Sequence, residues 1–71
     1  MMFRTRTLYI LIVIWDGDEA HTQVFYSRNT AELWIKNLFN CEDMDWTQFQ
    51  SWLAQNKPGM IAHIQETGME L

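Results

Sequence analysis

Asp16-Gly17-Asp18-Glu19-Ala20-His21 is the densest run of chemistry-bearing residues in the chain, and a divalent-cation loop is the first chemistry it suggests. An EF-hand loop needs oxygen ligands at positions 1, 3 and 5, glycine at 6 and glutamate at 12. Counted from Asp16, those positions hold Asp16, Asp18, Ala20, His21 and Ser27, so the ligand pattern fails. A solvated hairpin turn explains the same residues, because Asp-Gly favours positive φ and turn charges discourage edge pairing. His21 and His63 form a nominal acid–base pair, but no serine or cysteine sits in a recognisable nucleophile context. Cys41 is followed by Glu42 and Asp43, and neighbouring anions disfavour a thiolate. Cys41, His21 and His63 also supply only three of the four ligands a structural zinc needs, at no close pair spacing. The sequence calls for no enzyme activity, no metal and no cofactor.

Two charged groups address nucleic acid from opposite sides. Glu42, Asp43 and Asp45, with Asp16, Asp18 and Glu19, offer a mimic of a phosphate backbone, although helix capping and solubility account for them as well. Arg4 and Arg6 beside Phe3 and Tyr9 resemble a single-strand binding pattern in miniature, but phosphate affinity needs more cations than two. A net charge of −4, from nine acidic and five basic residues, opposes backbone binding and favours a basic partner.

The elements that must carry these residues are dominated by Leu8-Tyr9-Ile10-Leu11-Ile12-Val13-Ile14-Trp15, eight apolar residues without a break. Such a run is too short for a spanning helix, which takes about 20 residues. No small-residue cleavage site follows it, so neither a signal peptide nor a membrane segment is expected. Its β-branched and aromatic content marks a strand. Asp16-Gly17 turns the chain into a second, more polar strand, Ala20–Tyr26. Asn29 with Glu32 has capping-box spacing for a helix over Thr30–Phe39, whose Ala31, Trp34, Ile35, Leu38 and Phe39 share one stripe. Asp45 with Gln48 repeats the signal for a helix over Trp46–Gln55, with Trp46, Phe49, Trp52 and Leu53 as its apolar face. Asn56-Lys57-Pro58-Gly59 stops that helix, and Met60–Thr67 reads as a third strand. Residues 1–6 and 68–71 are expected to fray.

The predicted fold is one small α+β domain over 1–71, with order β-β-α-α-β. The apolar strand belongs in the centre of a three-stranded sheet of order 2-1-3, with two antiparallel helices on one face. Counting one sheet length per helix makes the last strand parallel to the first. Seventy-one residues bury only about 60% of the surface an unfolded chain exposes, so the core is thin. With one cysteine there is no internal disulfide, and an unpaired thiol fits the cytoplasm. Four Trp, four Phe and two Tyr carry the packing, with Trp34, Trp46 and Trp52 read as core.

A central strand that is apolar on both parities leaves one face uncovered by two helices. Tyr9, Leu11 and Val13 are assigned to that bare face, with Phe25 and Ile61 beside them. Trp15 stands at the rim, and Asp16, Asp18 and Glu19 steer approach. The expected function is a non-catalytic protein-binding module that occludes a site on a target protein. In size and style it matches small acidic bacterial and phage inhibitors of the anti-CRISPR, anti-restriction or antitoxin-like kind. A self-associating structural homodimer is the second reading and a nucleic-acid-binding protein the third.

Overall fold

The apolar run becomes the middle strand of a three-stranded sheet in a computed structural model that describes residues 5–70. The elements are β1 (Thr5–Trp15), β2 (Asp18–Phe25), α1 (Arg28–Leu38), α2 (Trp46–Asn56) and β3 (Met60–Glu70). The sheet order is β2-β1-β3, as the sequence predicts, in an α+β fold. The β1–β3 ladder runs along β1 past the apolar run, whereas the β1–β2 ladder spans Tyr9–Trp15 within it. Thr5 pairs with Glu70 and Arg6 with Met69, so residues 5–6 and 68–70 are held in strands rather than frayed. The remaining residues expected to fray, 1–4 and 71, lie outside the described part.

Each turn follows from local chemistry. Asp16 and Gly17 have φ of 51° and 85°, the two positive values of a type I′ hairpin turn. A bulge between Val13 and Ile14 then shifts the β1–β2 register, pairing Val13 with His21 and Ile14 with Glu19. The first helix starts two residues before its predicted N-terminus. Ser27, not Asn29, is the N-cap, and its Oγ accepts from the Thr30 N–H at 3.0 Å. At the other end Asn40 takes φ 57°, the Cys41 N–H donates to the Lys36 carbonyl (2.8 Å) and the Asn40 N–H to the Asn37 carbonyl (3.1 Å). This is a complete Schellman motif. Asp45 and Gln48 form the predicted capping box on α2.

The last strand is antiparallel to the first, not parallel as one sheet length per helix implies. β2 ends with Phe25 opposite Tyr9, and β3 begins with Met60 opposite Trp15. Those levels are six residues apart, or about 20 Å, while each 11-residue helix is about 16 Å long. The two helices with their connection therefore make one net traverse of the sheet, not two. The end point is fixed where two turns meet: the Asp16 N–H donates to the Gly59 carbonyl at 2.9 Å. Lys57-Pro58-Gly59-Met60 closes with the Met60 N–H on the Lys57 carbonyl, and Gly59 at φ 89° completes a type II pattern.

The core lies on one side of the sheet. Leu11 (0% exposed), Val13, Phe25, Ala62 and Ile64 meet Ala31 and Ile35 of α1, Cys41, and Phe49 and Leu53 of α2. Tyr9, Trp34, Phe39, Trp46 and Trp52 pack around them half-buried. Phe39 joins the helices, its ring centroid 6.2 Å from Phe49 and 5.8 Å from Trp52. Lys36 buries its stem and donates from Nζ to the Met44 carbonyl (2.9 Å), tying α1 to the segment that leads into α2.

Two stability predictions follow from these contacts. Gly59→Ala places a methyl group at positive φ and against the Asp16 carboxylate. It is expected to cost about 1–2 kcal/mol in urea unfolding, whereas Gly17→Ala, with open space around it, carries only the backbone part of that loss. Leu11→Ala is expected to cost about 3 kcal/mol by the same measurement, most of what a core this small supplies.

Candidate functional site

Antiparallel partners point to the same side of a sheet, so the ladders assign every strand residue to a face. One face carries Tyr9, Leu11 and Val13 with Gln23, Phe25, Ala62 and Ile64, and both helices cover it. The other carries Leu8, Ile10, Ile12 and Ile14. It is flanked by Thr22 and Val24 on β2, and by Ile61, His63, Gln65 and Thr67 on β3. None of the helix residues in the core cluster reaches this second face.

The assignment of Tyr9, Leu11 and Val13 to a bare face is therefore corrected. Leu11 and Val13 are buried and Tyr9 half-buried against the core. Phe25, expected beside them outside, is buried with them inside. The neighbours of β1 settle the parity. Facing partners of the odd-numbered residues include Phe25, Ala62 and Ile64, whereas the even-numbered ones face Thr22, His63, Gln65 and Thr67. Helices cover the side on which β3 presents Met60, Ala62 and Ile64 and β2 presents Phe25. Ile61 does lie on the open face, across from Ile14.

What stays open is an aliphatic band. Ile10, Ile12 and Ile14 are half-buried along the middle, with Val24 (53% exposed) on one flank and Ile61 (59% exposed) on the other. Leu8 on the same face is buried. The two ends of the band differ in charge. At the start of β1 the Arg6 guanidinium stacks 4.0 Å from the centroid of the exposed Tyr26 ring. At the far end Glu19 faces Ile14 across the ladder and accepts a hydrogen bond from the Thr22 hydroxyl.

The other residues singled out from the sequence are held apart. His21 and His63 lie on opposite faces of the sheet, so they do not form an acid–base pair. The His21 ring stacks on Trp34 at a centroid distance of 4.9 Å, with Nε2 3.1 Å from Gln23 Oε1. Asp16 is committed to the turn that meets Gly59, while Asp18 and Glu19 are exposed at the start of β2. Trp15 is 43% exposed at the same end, beside Met60. Arg4 and Phe3 lie outside the described residues. Among the described residues no three His, Cys, Asp or Glu gather into a metal-binding group, and no helix is long and apolar enough to cross a membrane.

A shallow cleft of about 180 Å³ between α2 and β3 is lined by Gln50, Leu53, Ala54, Met60, Ile61 and Ala62. Gln50 Nε2 crosses it to donate to the Ala62 carbonyl at 3.2 Å, which satisfies part of the outer edge of β3. Small-molecule sites are larger, about 300–1,000 Å³, so the open sheet face is the principal candidate surface.

Compared with protein-family models, with curated proteins and with solved structures, the chain matches none.

The geometry also predicts the reactivity of Cys41. Its thiol is buried and donates to the Phe39 carbonyl at 3.3 Å. A chromogenic disulfide reagent is expected to label it at least about tenfold more slowly in buffer than in denaturant. Equal rates would mean that the turn between the helices opens freely.

Proposed function

We propose that this protein is a non-catalytic protein-binding module whose working surface is the helix-free face of its sheet. The observation that carries the reading is the aliphatic band of Ile10, Ile12 and Ile14 between Val24 and Ile61, more than half exposed on both flanks. A contiguous apolar patch with a polar rim is the usual mark of a protein contact. Thr22, Gln65 and Thr67 supply that rim, and Arg6 and Glu19 close its ends. The band is flat and rigid, since its backbone is bonded into ladders on both sides of β1. It suits a partner with a flat apolar surface.

Action through such a face is occlusion: the module sits on a surface and denies it to others. A small acidic inhibitor of the anti-CRISPR, anti-restriction or antitoxin-like kind works in this way. Asp16, Asp18 and Glu19 at one end of the sheet would steer it toward a basic site. A self-associating structural protein would use the same face.

The test is capture from a native-source lysate by immobilised protein, comparing the wild-type chain with the double variant Val24→Asp, Ile61→Asp. Both positions are exposed, so the variant is expected to keep its circular dichroism spectrum while losing at least about tenfold of its partner. Retention of the same partner by both chains overturns the assignment of this face.

A further inference from the structure

The open face is built to match itself. The chain as a whole carries a net charge of −4, yet the described strand residues of this face hold one full positive charge, Arg6, and one full negative charge, Glu19. Asp16 and Asp18 lie at the turn, so around the band itself Glu19 is the single acid that the ladders place among the described residues. The two charges stand at opposite ends. Arg6 is eight residues before Ile14, the partner of Glu19, which separates the two levels by about 26 Å along β1.

We propose that a second copy of this chain covers the face, the two sheets stacking about a two-fold axis that crosses β1 at Ile10. The inference rests on the reading of this face as a protein contact surface and names its occupant. Sheets pack about 10 Å apart, within reach of interdigitating side chains. With the axis perpendicular to the strands, the two copies of β1 run in opposite senses. Ile10 then meets Ile10, and Arg6 of each copy arrives over the Ile14–Glu19 end of the other. With the axis along the strands, Arg6 would instead face Arg6, and like charges brought together at an interface are costly. Charge thus selects one of the two face-to-face arrangements. The face measures roughly 30 by 15 Å from its strand lengths and spacing, so stacking buries on the order of 1,000 Å² over both copies. That is the lower bound of a specific interface, so a weak dimer is expected, with a dissociation constant in the micromolar range.

Sedimentation equilibrium of the full chain from about 1 µM to about 500 µM tests this, a range that spans a micromolar dissociation constant. The mass is expected to rise from 8.5 kDa toward twice that value. Arg6→Glu and Glu19→Arg are each expected to weaken association about tenfold, and the double swap to restore it, because the interfacial pair is then rebuilt with its signs exchanged. Val24→Asp with Ile61→Asp is expected to leave a folded monomer. A wild-type mass that stays monomeric throughout overturns the second copy as occupant. So does capture of a different protein in place of the chain itself. A dimer that the double swap does not restore overturns the proposed stacking. A monomeric wild type overturns only the second copy, because the reading of the face as a protein contact is tested separately by capture of a foreign partner with the same aspartate variant.

Discussion

Everything in this molecule depends on a shortage of cover. One strand, β1, is apolar on both sides, and two 11-residue helices can shield only one of them. The side they take is the one on which all three strands supply apolar partners, so Leu11, Val13, Phe25, Ala62 and Ile64 form a continuous floor for Ile35, Phe49 and Leu53. Burial of apolar area stabilises by about 25 cal/mol per Å², and a floor without gaps collects the most of it. The opposite side leaves Ile10, Ile12 and Ile14 half-buried and uncovered by the helices. Core and candidate surface are thus two outcomes of one allocation, made along the same eleven residues.

The allocation is held in place by turns more than by the helices. The I′ turn at Asp16-Gly17 and the Pro58-Gly59 turn meet through the Asp16 N–H and the Gly59 carbonyl, which sets β3 against the end of β1 and fixes its direction. The Schellman motif at Lys36–Cys41 and the Lys36 ammonium on the Met44 carbonyl then fold the inter-helix segment back over the core. Phe39, at the C-cap of α1, is placed by this reversal against two rings of α2.

Much of this was legible in the residues, and the exceptions have physical causes. Element order, sheet order and the capping box of Asp45 and Gln48 follow from local signals: hydrophobic period, the Asp-Gly turn, and capping spacing. The direction of β3 did not, because it depends on how helices lie across a sheet, and strand counting assumes they run its full length. The exposed parity of β1 was misread because that strand is apolar on both sides and carries no asymmetry of its own. The signal sat in its neighbours. Met60, Ala62 and Ile64 against Ile61, His63 and Gln65 is an apolar set against a more polar one, and the antiparallel register transfers that contrast to β1. Ser27, two residues earlier, takes the cap from Asn29 because its hydroxyl accepts from the Thr30 N–H. The bulge between Val13 and Ile14 has no signal in the sequence that separates it from a regular hairpin.

The ladder between β1 and β3 joins residues from 45 positions apart at Trp15–Met60 to 65 positions apart at Thr5–Glu70. Its formation is a distant event in chain terms, and topologies rich in distant pairings fold slowly for their size. The β1–β2 hairpin, by contrast, needs only a two-residue turn and can close within microseconds. Between those two moments β1 has a neighbour on one side only, and its aliphatic row and bare main-chain edge face the solvent together. The sequence that leaves an open aliphatic face in the finished protein is, on the way there, an adhesive ribbon. Pairing with β3 closes the edge, while the aliphatic row stays open.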